Sequence, residues 1–525
     1  MKILQIGASS WVNQEIVLPE DMEWYCTEAE DIPALLEELT EQARNRLPKM
    51  EDGSSLPKVR LYFDAVVITS SLAEESLTPL MNCVEAYGLY VDTGVSLPEG
   101  SPFGIFRRKM LRKLEVVGDL QTKIDYLYLT HFGSQYGAKL KVPDIDVSEQ
   151  FQGNVFYDGH VAVHLQGEFG QDFTPLLTFR YNLGTFPVAL EIWLEYFKVA
   201  GNPEIYLELT PMRKGSLHDF LEPIVLSEDQ LETPYILPPD EEIGFYAISV
   251  WAKGTGELGF GPLHWRYSRI GMGQFVLGGE RFSDSKKQEL IYYFNPGDLK
   301  PPLNVYFSGF RTAEGFEGYG IMKSLKGPFL LIGDPRLEGG GFYIGSPELE
   351  AKVVEVIQES LDYLGFQQSD LILSGLSMGT FGALYYASDF NPYAVVIGKP
   401  FTNVGDTVAA IKLKRPDEFE TSADVLLNVT GGAQKQDMEQ LNQKFWDKFK
   451  QSSFAETTFA IAYMENDDYD GKATAMLLEA LTEQGTHIYT KGYEGRHNDN
   501  SRAINRWFMK QYVQLLENGY GRKYG

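Results

Sequence analysis

The feature that most limits how this chain can fold is a series of short, largely apolar segments in its second half. Representative members are Leu303–Phe307, Phe329–Ile332, Leu371–Leu373 and Ala394–Ile397, and amphipathic stretches separate them. Short segments with so few polar residues are typical of strands that are buried on both faces. Because helices would join these strands, the pattern predicts a doubly wound, mostly parallel sheet for residues 271–525.

The same alternation continues to the end of the chain. Three further strands are predicted at Val425–Val429, Thr458–Ala462 and His487–Thr490, with helices at Asp437–Phe449 and Ala473–Thr482. Helices that separate strands in this way are typical of a doubly wound sheet.

Residues 1–148 are predicted to be a smaller α/β region. Strands are expected at Ile3–Ile6 and Ala65–Thr69, and helices at Ile32–Arg46 and Leu80–Ala86. The alternation of strands and helices indicates an α/β unit. No G-x-G-x-x-G sequence follows the first strand, so no dinucleotide site is predicted there.

Residues 149–270 have a different pattern, with period-two segments and dense aromatic residues. The strand candidates are Val188–Glu195, Ile205–Leu209, Phe245–Trp251 and Leu263–Ser268, with glycine, proline and aspartate between them. This pattern predicts an antiparallel β-sandwich or jelly roll. Its aromatic side chains either fill a core or form a face that stacks on sugar rings, so a carbohydrate- or partner-binding domain is one interpretation.

Composition narrows the classes of function. The 525 residues carry a formal net charge of −27, which disfavours nucleic acid and anionic membrane surfaces as partners. Two cysteines exclude a disulfide scaffold or a multi-cysteine zinc site. No signal peptide is recognised, and no apolar segment is long enough to span a membrane. We therefore expect a soluble chain that stays inside the cell.

The segment Gly375–Gly379 has the sequence G-L-S-M-G and is the most informative motif. A predicted strand, Leu371–Leu373, leads into it, and a predicted helix, Thr380–Ala387, leads out. A strand, a tight turn and a helix are what a nucleophile elbow requires, with small residues on either side of the serine. Ser377 is therefore a candidate nucleophile, and the alternative is an inert strand-to-helix turn.

A serine hydroxyl needs a base to act as a nucleophile at neutral pH. Two histidines, His487 and His497, follow Ser377 in the chain. His487 lies in an apolar alternation and is predicted to be a strand residue. His497 lies in the polar loop Gly492–Asn498 after the last predicted strand, so it is the preferred base, although an exposed loop histidine is the alternative.

The third member of such a site is an acid that orients the imidazole. In α/β hydrolases the acid lies between the serine and the histidine in the chain. The strand Thr458–Ala462 leads into an acidic loop, where Asp467 is the first choice, followed by Asp468 and Glu465. Glu494 is a more distant candidate, and a simple solvated acidic loop is the alternative.

Acyl transfer also needs N–H groups that bind the developing oxyanion. The Met378 amide, directly after the serine, is the first candidate. The second is the amide of Gly309 or Phe310, in the loop that follows Leu303–Phe307. The glycines at 339–341 either shape the edge of the pocket or form a flexible loop.

Together, the segments Gly375–Thr380, Ala462–Asp470 and Gly495–His497 resemble the accessory Sec system protein 2 family of Gram-positive bacteria. The resemblance extends over the whole chain in length and in the order of its parts. It implies a cytoplasmic subunit, peripheral at the membrane through the translocase. It also implies a complex with the first and third accessory Sec proteins and cooperation with an accessory SecA-type ATPase. The implied substrates are serine-rich-repeat glycoprotein adhesins, on which the family O-acetylates N-acetylglucosamine.

The resemblance assigns roles to three residues. Ser377 matches the nucleophile and His497 the base, whereas Asp467 stands where the family pattern has a glutamate. We expect an α/β-hydrolase-like catalytic domain that transfers acetyl groups through an acetyl-serine, with no tightly bound cofactor and no metal. The acetyl donor is left open, with acetyl-CoA as a candidate. A carbohydrate esterase, or a non-catalytic assembly and export chaperone on a hydrolase scaffold, are the alternatives.

Overall fold

The computed structural model describes residues 1–46, 59–414 and 421–524. Three β-sheets follow one another along the chain. No helix in these ranges is both long enough and apolar enough to cross a membrane.

The first sheet has five parallel strands in the order β2-β1-β3-β4-β5. Its strands are β1 Lys2–Ile6, β2 Glu23–Thr27, β3 Ala65–Ile68, β4 Leu89–Asp92 and β5 Arg112–Leu114. Its α-helices are α1 Ile32–Asn45, α2 Ile105–Arg108 and α3 Leu120–Thr130. The two predicted strands and the first predicted helix are confirmed.

The helix predicted over Leu80–Ala86 is wrong. Residues Glu74–Leu80 form a 3-10 helix, and turns then lead to β4. The N–H groups of Met81 and Cys83 donate to the carbonyls three residues back, those of Thr78 and Leu80, at 3.1 and 2.8 Å, which is the pattern of 3-10 turns and not of an α-helix. Tyr87 has a φ of 67°, a left-handed conformation that does not occur in a right-handed helix.

The second sheet has ten strands and is antiparallel. They are β6 Gly137–Leu140, β7 Ile145–Val147, β8 Asn154–Asp158, β9 Ala162–Phe179, β10 Leu183–Gly184, β11 Leu190–Gly201, β12 Glu204–Arg213, β13 Ile224–Ser227, β14 Tyr235–Leu237 and β15 Ile243–Tyr267. Because β6 and β7 belong to this sheet, it begins before residue 149. The division into domains at 148 and 270 stays a prediction.

The sequence predicts an antiparallel β-sandwich or jelly roll here, but hydrogen bonds connect all ten strands into one sheet. The central strand β15 is 25 residues long and joins the two strands predicted at Phe245–Trp251 and Leu263–Ser268. Its pairing with β9 shifts register around Gly254, and bulges of this kind bend a strand. The sheet thereby folds around a core of its own apolar side chains.

The third sheet has eight strands in the order β16-β17-β19-β18-β20-β21-β22-β23. Only β17 runs antiparallel to the others. The strands are β16 Gly279–Ser283, β17 Glu289–Asn295, β18 Leu303–Phe307, β19 Phe329–Gly333, β20 Leu371–Leu376, β21 Ala394–Gly398, β22 Thr458–Met464 and β23 His487–Tyr493. The helices are α4 Tyr319–Ser324, α5 Pro347–Leu364, α6 Met378–Ala387, α7 Val404–Lys414, α8 Thr421–Thr430, α9 Lys435–Gln451, α10 Ala473–Glu483 and α11 Ser501–Tyr520.

Helices cover both faces of this sheet. On one face, Val305 and Phe307 of β18 share a core with α5 and α6. On the other face, Tyr306 packs against Phe508 of α11, with ring centroids 6.3 Å apart. Burial on both faces explains why these strands are almost continuously apolar. The mixed α/β character predicted for this half of the chain is confirmed.

The strand predicted at Val425–Val429 is wrong, because these residues lie in α8. β21 and β22 are direct neighbours in the sheet, so no strand fits between them. Val425 and Leu426 are buried in the helical layer instead. A five-residue apolar run does not distinguish a strand from a buried helical segment.

Two glycines let α6 lie directly on the strands of the sheet. A Cβ atom on Gly375 of β20 would lie 2.3 Å from the carbonyl oxygen of Gly379. A Cβ atom on Gly379 would lie 2.1 Å from the carbonyl oxygen of Phe307 in β18. Both distances are far below contact, and the obstructing atoms are backbone, which cannot rotate away. This close approach fixes the turn that contains Ser377.

We expect Gly379→Ala to lower the free energy of unfolding by about 2 kcal/mol, because the methyl group would force α6 away from β18. Chemical denaturation measures this change. The matched control is Gly320→Ala in α4, where a Cβ atom would meet nothing within 4 Å. That substitution is expected to stabilise the protein by up to about 1 kcal/mol through helix propensity. Equal effects of the two substitutions would contradict the packing argument.

Candidate active site

Ser377 occupies the turn between β20 and α6. Its backbone has φ 52° and ψ −122°, a strained conformation for a residue with a side chain. The Ser377 N–H donates to the carbonyl of Gly398 at 2.9 Å, which ties the turn to β21. The side chain remains partly accessible, and its Oγ lies 2.8 Å from Nε2 of His497.

His497 lies in the loop after β23 and is only 2% exposed. Its ring contacts Phe401 and Tyr469, with centroids 5.2 and 4.6 Å away. Its backbone N–H donates to Oδ1 of Asp468 at 3.0 Å. The imidazole is therefore held between two aromatic rings and cannot turn freely away from the serine.

Asp467 completes the arrangement from the loop after β22. Its Oδ2 lies 2.8 Å from Nδ1 of His497, and its Oδ1 accepts from the amides of Tyr469 and Asp470 at 2.9 and 3.2 Å. Burial alone would raise the pKa of this carboxyl group. The hydrogen bond and charge of His497, together with the two amides, outweigh burial and hold its pKa below the usual range.

The other acids considered for the triad and the second histidine, all in the described part of the chain, form no hydrogen bond with the imidazole of His497 or the serine hydroxyl. Asp468 binds the backbone of His497 instead of its ring. The side chains of Glu465 and Glu494 are exposed. His487 is exposed at the first position of β23, at the opposite end of the sheet from the serine.

Asp470 has a positioning role that its sequence context did not indicate. This buried carboxylate accepts from the amides of Thr402 and Asn403 at 2.8 and 2.6 Å. It therefore ties the loop after β21, which carries Phe401, to the loop that carries Asp467. In the sequence it is one of four acids in six residues, and nothing there distinguishes it from its neighbours.

The second oxyanion donor predicted at Gly309 needs a correction. The Gly309 N–H donates to Oε2 of Glu317 at 2.6 Å, so this amide is already engaged. A Cβ atom on Gly309 would lie 3.3 Å from the carbonyl of Leu376, so the loop does border the nucleophile turn. Met378 follows Ser377 as the first residue of α6, and Phe310 stays the prediction for the second donor. The sequence analysis did not identify Glu317, which lies eight positions after Gly309 in the chain.

The loop between β18 and α4 is anchored by the preceding part of the chain. The Glu314 N–H donates to the carbonyl of Gly137 at 2.8 Å. The Glu314 carboxylate lies 2.6 Å from Nδ1 of His264 and accepts from Nε of Arg266 at 3.1 Å. Gly137 lies in β6, and the other two partners lie in β15, so the ten-stranded sheet holds the loop that carries Phe310.

The glycines at 339–341 form the neighbouring edge of the site. A Cβ atom on Gly340 would lie 2.4 Å from Cε of Met378, and one on Gly339 would lie 2.3 Å from the ring of Phe310. The Gly341 N–H donates to the buried carboxylate of Asp334 at 2.9 Å. These contacts favour a shaped pocket edge over a flexible loop.

One buried group has the composition of a metal site. Ligand atoms of His264, Glu289 and Glu314 lie within 4.8 Å of one another. However, Arg266 donates to both glutamates, and Arg281 donates to Glu289 at 2.7 Å. The guanidinium groups already balance the carboxylates, so this cluster is an ion network that does not need a metal.

These features define a class of protein. The eight strands are ordered as in an α/β-hydrolase-type fold. The serine lies at the turn after the fifth strand and the histidine in the loop after the eighth, and together with Asp467 they form a Ser-His-Asp arrangement.

The chain belongs to the accessory Sec system protein 2 family. Residues 1–522 match the family model described as Accessory Sec system GspB-transporter. The chain is 43% identical over 462 residues to the accessory Sec system protein 2 of Staphylococcus aureus (strain NCTC 8325 / PS 47), covering 88% of both chains. It is 36% identical over 524 residues to the accessory Sec system protein 2 of Streptococcus gordonii, covering 100% of this chain and 99% of the relative.

A solved structure has the same fold over the whole chain. A chain of the Glycosylation Associate Protein (Gap123) complex from Streptococcus agalactiae superimposes with a TM-score of 0.90 at 38% identity. The match covers 100% of this chain and 99% of that chain. The resemblance seen in the sequence motifs is thus confirmed as family membership.

The lowered pKa of Asp467 predicts a pH-dependent contribution to stability. A carboxyl pKa below that of the unfolded chain, about 3.9, stabilises the folded state above that value, and the contribution is lost as pH falls through the folded pKa. Asp467→Asn should therefore lower the free energy of unfolding more at pH 7 than at pH 3, as measured by chemical denaturation. The exposed neighbour Glu465→Gln is the control and should change stability by less than about 0.5 kcal/mol at either pH.

A serine-reactive fluorophosphonate tests the nucleophile without a known substrate. We expect it to label Ser377, with release of fluoride, and to leave Ser377→Ala unlabelled. His497→Ala should slow labelling by on the order of a hundredfold or more, because the base is lost. His487→Ala is the control and should label at the wild-type rate. Mass spectrometry of the labelled peptide measures both site and rate, and equal rates for both histidine variants would contradict the assignment.

Proposed function

We propose that this chain is a serine-dependent O-acetyltransferase that acetylates N-acetylglucosamine on serine-rich-repeat glycoprotein adhesins and supports their export. The observation that carries the proposal is the continuous hydrogen-bond chain from Ser377 through His497 to Asp467. Family membership supports the link to adhesin export.

In the first half of the reaction, Oγ of Ser377 attacks the carbonyl carbon of an acetyl donor while Nε2 of His497 takes the hydroxyl proton. The amides of Met378 and Phe310 are the proposed donors to the oxyanion. The tetrahedral intermediate collapses to an acetyl-serine, and the imidazolium returns its proton to the leaving group. Asp467 stabilises the imidazolium between these steps.

In the second half, a sugar hydroxyl attacks the acetyl-serine carbonyl and gives its proton to Nε2 of His497. Collapse of the second intermediate forms the sugar acetate, and the imidazolium reprotonates the Ser377 oxygen. The chain needs no tightly bound cofactor for this cycle, and acetyl-CoA is one candidate for the acetyl donor. Transfer requires the sugar to outcompete water, which favours a binding site for the acceptor close to the serine.

The relatives support the partners that we propose. The superimposed chain from Streptococcus agalactiae belongs to a Gap123 complex, which supports assembly of this chain with the first and third accessory Sec proteins. We also propose that the chain works in the cytoplasm with the accessory SecA-type ATPase, peripheral at the membrane through the translocase. Its glycoprotein substrate would then be modified before or during export.

The decisive test is acetyl transfer to a glycosylated adhesin fragment by the wild-type chain and by Ser377→Ala in the assembled accessory complex. We expect Ser377→Ala to lower sugar acetylation by a factor on the order of 10³ or more, measured by mass spectrometry of the released glycans. Ser388→Ala, away from the nucleophile turn, is the control and should acetylate normally.

Three other outcomes would contradict the proposal. Free acetate without acetylated sugar would indicate a carbohydrate esterase. Normal acetylation by Ser377→Ala would place catalysis at another site. Normal export without any acetylation by the wild-type chain would indicate an assembly and export chaperone on a hydrolase scaffold.

A further inference from the structure

A cavity of about 660 Å³ lies between the ten-stranded sheet and the loop that follows β19. Tyr181 and Trp265 line it from the ten-stranded sheet and its loops, and Leu337 and Glu338 line it from the loop. The volume is in the range of sites that bind small molecules or short chains. None of the proposed catalytic residues lies in its lining.

The cavity and the candidate active site share one loop. Leu337 and Glu338 border the cavity, and the next two residues, Gly339 and Gly340, pack against Phe310 and Met378 respectively. A ligand in the cavity would therefore contact the same short segment that forms the edge of the proposed oxyanion site. This proximity makes the cavity a candidate for the acceptor.

The charges in the cavity disfavour an anionic ligand. Lys141 pairs with Glu338 at 2.6 Å, and Lys139 lies 3.5 Å from Glu314. Lys139 also donates to the carbonyls of Pro335 and Leu337. Both lysines are thus compensated, the lining also includes the carboxylate of Asp144, and the chain as a whole has a formal charge of −27. A phosphate-bearing ligand would meet repulsion at long range, and among the described residues that line the cavity it would meet no uncompensated lysine.

The polar and aromatic groups in the lining match a saccharide. Tyr181 is 58% exposed, and Trp265 is held by stacking on Phe186 with centroids 5.0 Å apart. Within residues 1–46, 59–414 and 421–524, no hydrogen-bond partner is found for the Tyr181 hydroxyl, the Trp265 Nε1–H or the Asn182 amide. Aromatic faces with polar tips suit a ligand that has apolar ring faces and many hydroxyl groups.

We propose that this cavity binds a neutral saccharide, and that the bound saccharide is the acceptor glycan. The acceptor role rests on the proposed acetyltransferase function, whereas saccharide binding at this place does not. Tyr181 stacks on a sugar ring, and the Asn182 amide and the Trp265 Nε1–H bond its hydroxyl or acetamido groups.

The test is calorimetric titration of the full chain with the β-1,4-linked trisaccharide of N-acetylglucosamine. We expect Tyr181→Ala to weaken binding about tenfold or more, since truncated aromatic anchors lose affinity on that scale. The matched control is Tyr489→Ala on β23, a tyrosine that is 57% exposed and lies outside the cavity; it should bind like the wild-type chain. Asn182→Ala is a second variant at an exposed position and should also weaken binding.

Several results would overturn the inference. The first is that the wild-type chain does not bind the trisaccharide, and the second is that Tyr181→Ala and Tyr489→Ala bind it with equal affinity. The third is that coenzyme A displaces the trisaccharide, which would assign the cavity to the acetyl donor. Ser377→Ala separates this inference from the proposed function, because it should keep the wild-type affinity for the trisaccharide while losing acetyl transfer. Wild-type binding without any acetyl transfer would remove the acceptor role and leave the saccharide site.

Discussion

The close approach of α6 to the central strands is the constraint on which the candidate site depends. The backbone of Gly379 touches the carbonyl of Phe307, and there is no room for a side chain between the helix and the sheet. The chain must therefore turn sharply between β20 and α6, and Ser377 accepts the positive φ that this turn requires. The strained conformation presents the hydroxyl at the carboxyl edge of the sheet, beside the start of a helix, where an oxyanion is stabilised.

A second constraint joins the ten-stranded sheet to this edge. His264 lies between Glu195 and Glu314 at 2.9 and 2.6 Å, and Arg266 bonds Glu314 and Glu289, all of them nearly inaccessible to solvent. Removing one member of such a network leaves an uncompensated buried charge. Glu314 belongs to the loop that carries Phe310, so the ten-stranded sheet fixes the position proposed for oxyanion binding. That sheet contributes no residue to the hydrogen-bond chain of Ser377, His497 and Asp467.

The strand-and-helix alternation predicted the third sheet and its serine turn, because strands buried on both faces leave a simple apolar pattern. The sequence position of His497, after the last strand, places it at the same edge. Chain order and the resemblance favour Asp467 among the acids at 465–470, and the structure places its carboxylate on the imidazole of His497. The roles of Asp468 and Asp470 could not be predicted, since they depend on which backbone amides face each carboxylate. Local sequence misassigned Gly309, whose amide is taken by Glu317, and the residues Val425–Val429, whose helical state is set by packing against neighbouring helices.

At position 467 the resemblance to the family implies a glutamate, and the loop of this chain uses both oxygens of an aspartate. One oxygen faces His497, and the other accepts from the amides two and three residues further along, at Tyr469 and Asp470. A short side chain makes such local bonds to its own backbone readily, whereas a longer one does not. The loop is thereby tightened around the carboxylate, and Asp470, anchored to the loop after β21, holds the tightened turn in place. These bonds hold the carboxylate of the shorter side chain within 2.8 Å of Nδ1 of His497, so an aspartate is long enough to orient the imidazole in this loop.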